Sequence, residues 1–131
     1  MRDEIIRLAE QKAPDGQLAC ADAMTIASQL EIAPIEVGKT VNRASNLRFY
    51  RCQLGLFGYG SKVEGKHKIV LAATVVPEAI KNALLERAHD DRIACQDVWQ
   101  VAEEFGYPRL GVSNVVEALG LAVRPCQLGC F

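Results

Sequence analysis

Between positions 37 and 68 the chain carries Lys39, Arg43, Arg48, Arg51, Lys62, Lys66 and Lys68 against one acid, Glu64. Lysines and arginines at that density are the residue types that neutralise nucleic-acid phosphates and release their counterions. The net charge of the whole chain is −1, so any such affinity must come from local clustering and not from the overall field. Thr40, Asn42 and Arg43 add donors and acceptors of the kind that read base edges. These three with Lys39, Arg48, Arg51, Lys62, Lys66 and Lys68 form the candidate DNA-binding set. Phe49, Tyr50, Phe57 and Tyr59 are interleaved with them. A solvated basic face balanced by acids elsewhere in the fold is the competing reading of the same run.

The five cysteines, at 20, 52, 95, 126 and 130, are the second set able to do chemistry. An odd number with no preceding secretory signal points to reduced thiols. Cys52, Cys126 and Cys130 are the candidates for a zinc or iron thiolate site, against the alternative that small apolar Cys is core packing. No CxxC is present, and His67 and His89 stand at no ligand spacing. GLFGYG, residues 55–60, lacks the Lys-Ser/Thr ending of a phosphate loop and reads as a turn. Neither histidine has a visible nucleophile partner, and the adjacent acids Asp90 with Asp91 and Glu103 with Glu104 point different ways on a helix. The expectation is therefore a protein that is not an enzyme and needs no cofactor.

The elements that position these residues are duplicated. Leu18, Ala19, Cys20, Ala21, Asp22 matches Ile93, Ala94, Cys95, Gln96, Asp97 at a shift of 75, and CQLGLF at 52–57 matches CQLGCF at 126–131 at a shift of 74. The one-residue difference is placed near Ala33. Each copy opens with an amphipathic helix (Ile5, Ile6, Leu8, Ala9; Ile80, Ala83, Leu84, Leu85) and continues with a second (Ala23, Ile26, Ala27, Leu30; Val98, Val101, Ala102, Phe105). A third helix is expected from Pro34 to about Ser45 and from about Pro108 to Leu119. Strand-like segments follow at 47–54 and 121–128. Alternation at Ile69, Leu71, Ala73 and Val75 predicts a hairpin with the first of them. Pro125 suggests an edge for the last strand.

In the second copy Ala102, Gly106, Val112 and Val115 have the spacing of a helix-turn-helix: a small residue where the helices approach, Gly at the sharp turn, and apolar residues packing the second helix on the first. The first copy keeps Ala27, with Glu31 or Ile32 in place of Gly, one extra residue in a looser turn, and Val37 or Val41 packing. Both copies thus resemble the helix-turn-helix superfamily in its winged form. The resemblance implies that the third helix lies in the major groove and that a hairpin wing touches the backbone. Glu36, Lys39, Thr40 and Arg43 would be the outward face. In the second copy Ser113, Asn114 and Glu117 stand there, which would not hold phosphate.

The expected fold is mainly α (α+β): tandem three-helix units with short β-hairpin segments, 1–76 and 77–131, packed as a pseudo-dimer. The expected function is a small cytoplasmic DNA-binding, transcription-regulatory protein whose partner is double-stranded DNA, with a second copy of the chain or another protein as the further partner considered. A protein–protein interaction module on the same scaffold, or a cysteine-based metal or redox sensor, are the alternatives. The longest apolar run, Ile69 to Val76, is strand-sized, so no membrane span is expected.

Overall fold

The structure is a computed structural model and describes residues 1–60 and 67–131. It is mainly α: among the described residues there are six helices and two pairs of short parallel strands. In the first copy these are α1 (Arg2–Lys12), β1 (Gln17–Ala19), α2 (Cys20–Leu30), α3 (Pro34–Ala44) and β2 (Arg48–Tyr50). In the second they are α4 (Glu78–Arg87), β3 (Arg92–Ile93), α5 (Cys95–Phe105), α6 (Arg109–Ala118) and β4 (Ala122–Val123). Among the described residues no helix is long and apolar enough to cross a membrane.

Each helix forms where apolar residues recur every three to four positions. α1 buries Ile5, Leu8 and Ala9, with Asp3 and Glu4 at its positive end and Lys12 at its negative end. α4 buries Ile80, Ala83 and Leu84, the same three positions shifted by 75, and leaves Leu85 exposed. α2 buries Ala23, Ile26 and Ala27, and α5 buries Val98, Val101 and Ala102. Phe105, expected in that stripe, is 38% exposed because the helix ends there and its ring passes beyond the core.

The turns after α2 and α5 are of equal length, which corrects the expected looser first turn. Glu31 takes the left-handed conformation (φ 54°) that Gly106 takes in the second copy (φ 63°). The bonds that close them also match: Ile32 N–H to Ala27 O at 3.0 Å and Tyr107 N–H to Ala102 O at 2.9 Å. A glutamate tolerates this φ at a cost of about 1 kcal/mol that glycine escapes. The one-residue difference between the copies therefore falls after the third helix and not near Ala33. α3 then buries Val37, Gly38 and Val41, and α6 buries Val112, Ser113 and Val116 at the same shift of 75, together with Val115.

The expected hairpin is not formed. β2 pairs in parallel with β1, Gln17 opposite Arg48 and Ala19 opposite Tyr50, and β4 pairs in parallel with β3. Residues 68–73 form no strand, and Ile69 and Val70 both donate their N–H to the Gly55 carbonyl. The physical reason is that the N–H groups of this segment are taken elsewhere, those of Ile69 and Val70 by Gly55 O and those of Leu71 and Ala73 by Asn114 of α6, while β2 finds its ladder partners in β1. The hairpin tip expected at Lys62 and Lys66 lies outside the described residues.

The two helical halves pack around separate cores, yet each core is completed by the other copy. Cys126 and Leu128 lie in the core of α1, α2 and α3. Cys52 and Leu54 lie in that of α4, α5 and α6. Trp99 and Phe131 touch both. Leu54 and Leu128 are almost fully buried, each a gain of about 2 kcal/mol that its own copy does not provide. Gly38 is what admits Leu128: a Cβ there would occupy the space of the Leu128 carbonyl.

Candidate nucleic-acid interface

α3 begins at Pro34, whose missing N–H costs nothing at a first helical position, and turns its apolar stripe inward. Lys39, Asn42 and Arg43 consequently face solvent beside exposed Glu36, with Thr40 half-buried. Among the described residues Lys39 and Arg43 have no carboxylate within ion-pair distance. Arg43 also borders a shallow groove with Arg2, Arg7, Asp3 and Glu10 of α1. Arg2 and Arg7 were not among the sequence candidates, because nothing local in the sequence says that α1 packs beside the end of α3.

The other basic residues are spread out. Arg48, on β2, is exposed and lines the groove between the halves. Arg51 stacks over the Tyr50 ring at 5.0 Å. Lys68 does not belong to the α3 face: its Nζ is 3.2 Å from both Glu117 carboxylate oxygens on α6. Lys62 and Lys66 lie outside the described residues. His67 accepts the Gly58 N–H at Nδ1, 3.2 Å away, and lies near the Phe57 ring.

The corresponding face of α6 is covered. Lys68 pairs with Glu117, the Leu71 N–H donates to Asn114 Oδ1 at 2.9 Å, and the Ala73 N–H donates to Asn114 O at 3.0 Å. At the observed shift Asn114 stands opposite Lys39, Glu117 opposite Asn42 and Ala118 opposite Arg43. Farther along, Arg109 stacks 3.7 Å over Trp99 and donates to Gln53 Oε1 at 3.0 Å.

All five cysteines are free thiols, four of them buried and Cys130 half-buried. Burial pushes Cys20 up to about 12 and Cys95 up to about 11. Burial likewise raises Cys52. Cys126 moves the other way, chiefly because the Cys130 thiol lies beside it, and Cys130 is raised in turn. Among the described residues no group of three or more Cys, His, Asp or Glu is placed to hold a metal ion, so Cys52, Cys126 and Cys130 do not form the zinc or iron site considered from sequence. Cys52 and Cys126 pack in different cores.

No protein-family model, curated protein or solved structure matches the chain.

Proposed function

We propose that this chain is a DNA-binding, transcription-regulatory protein built from two helix-turn-helix units packed as an internal pseudo-dimer, and that only the first unit contacts the duplex. The observation that carries this reading is the open face of α3, where Lys39, Asn42 and Arg43 project opposite Val37, Gly38 and Val41. At 11 residues, α3 is about 16 Å long and of a size to lie in a major groove about 12 Å wide. Lys39 and Arg43 would supply phosphate contacts, and Asn42 and Arg43 side-chain groups suited to adenine and guanine edges. Arg2 and Arg7 lie at one end of the helix together with the acids Asp3 and Glu10.

The test is fluorescence anisotropy of the full chain with labelled duplex DNA at about 50 and 200 mM salt, a range over which several phosphate contacts cost orders of magnitude in affinity. Steep weakening supports the reading. Absence of binding at the lower salt rejects it in favour of a protein-interaction module.

A further inference from the structure

Two loops of nearly identical sequence, 52–57 and 126–131, share one backbone shape. The Cys52 N–H donates to Phe57 O at 3.1 Å and the Gly55 N–H to Cys52 O at 2.9 Å. The Cys126 N–H donates to Phe131 O at 2.8 Å and the Gly129 N–H to Cys126 O at 3.1 Å. The Leu128 nitrogen lies 3.4 Å from Cys126 Sγ. A backbone N–H dipole against sulfur is a setting that favours a thiolate.

The loops differ at one chemically decisive position. Leu56 in the first is Cys130 in the second; the bond from the Cys126 N–H to Phe131 O closes the loop that carries both cysteines, and Cys130 packs against the core that holds Cys126. Cys52 has no second cysteine in its loop, and burial raises its thiol. Cys126 is 8% exposed, whereas Cys130 opens onto the groove between the halves, a cavity of about 940 Å³. That groove presents Arg48 and Arg124 along with the Phe57 and Phe131 rings, and the Lys68–Glu117 ion pair also lines it.

The geometry points to Cys126 and Cys130 as a redox-active dithiol that exchanges with low-molecular-weight, carboxylate-bearing disulfides of the glutathione class entering this groove. The two sulfurs share one proton once the pair is singly ionised. Cys130, the thiol that lines the groove, passes its proton to the Cys126 sulfur as it attacks one sulfur of the disulfide RSSR, forming Cys130–S–S–R and releasing RS⁻, which takes a proton from water. Cys126 then loses its proton to solvent, and its sulfur attacks the Cys130 sulfur. The internal disulfide forms and a second RS⁻ leaves and is protonated. Two protein thiols are oxidised by two electrons and one small disulfide is reduced to two thiols. The Arg48 and Arg124 side chains hold the carboxylates of the incoming molecule.

The experiment uses the fully reduced chain with oxidised glutathione at neutral pH, read by thiol titration and mass spectrometry. The expected result is a fall from five free thiols by two, to three, with loss of two hydrogens and fragment spectra that join Cys126 to Cys130. Cys126→Ser is expected to retain one glutathione on Cys130, and Leu56→Cys to add a second closable pair in the first loop. An unchanged thiol count, a stable glutathione adduct on the unaltered chain, or a disulfide joining any other cysteines overturns the proposal. The unaltered protein decides the matter even if a variant fails to fold. DNA binding plays no part in this readout, so the two proposals stand or fall separately.

Discussion

The outer faces of α3 and α6 are the same surface of the same unit, yet one is open and basic and the other is tied down by residues 68–73. Lys68, the Leu71 N–H and the Ala73 N–H occupy Glu117 and Asn114, while Lys39, Asn42 and Arg43 stand free in solvent. Duplication supplied two equivalent helices. The chain between the copies has to run over one of them, and it covers the face whose side chains offer it a carboxylate and an amide. A duplicated fold can thus become functionally one-sided through its connecting segment as well as through changes in the face itself.

The largest effect is expected inside the molecule. Gly38→Ser gives the first copy the residue found at Ser113 in the second, but the added Cβ meets the Leu128 carbonyl. The stability loss should exceed about 3 kcal/mol by urea denaturation, within the range of overpacked cores. Ser113→Gly should cost only about 0.5 kcal/mol, the difference between the helix propensities of serine and glycine. Equal costs would mean that the two cores are plugged alike.

On the open face, Lys39→Ala with Arg43→Ala should weaken duplex binding by about tenfold to a hundredfold at low salt and reduce the salt slope by roughly 2. An unchanged slope would remove α3 from the interface.

Cys20 and Cys95 start α2 and α5 at equivalent positions and are both held neutral by burial. Their pKa values in the folded chain, about 12 and about 11, lie above the ordinary value of 9.0. Above pH 9 the unfolded chain loses these protons while the folded chain keeps them. Stability that is complete below pH 9 should therefore fall as pH rises toward 11 and 12, by up to about 1.4 kcal/mol per pH unit for each thiol. Replacing both by Ala should flatten that alkaline limb of the urea midpoint.

The smallest effect concerns the covered face. The Lys68–Glu117 pair is partly exposed, so Lys68→Ala should cost about 0.5 kcal/mol or less. Its signature is faster hydrogen exchange at Leu71 and Ala73, with duplex affinity nearly unchanged. A large loss of DNA binding would place Lys68 in the interface after all.

Much of this was legible in the residues. Apolar spacing located all six helices, because burial of one stripe imposes a period of 3.6 on any helix that packs. The doubled CQLG motif and the paired cysteines disclosed the repeat. The outward placement of Glu36, Lys39 and Arg43 follows from the same periodicity that buries Val37 and Val41, whereas Thr40, expected on that face, is half-buried and Asn42, not assigned to it, is exposed. The hairpin was misread because alternation describes an extended segment but does not say which strand it joins. Lys68 was grouped with the basic face because proximity in sequence says nothing of Glu117, 49 residues away.

The sequence by itself determined the duplication, the helices and their buried stripes, and the charge difference between the two outer faces, since each depends on local periodicity or residue identity. Only the tertiary structure decided the parallel pairing of β2 with β1, the exchange that puts Leu54 and Leu128 in each other's cores, the covering of α6 and the meeting of Cys130 with the groove. Those are contacts between segments far apart in the chain, chosen by which surfaces fit once the helices exist, and no local pattern encodes that choice.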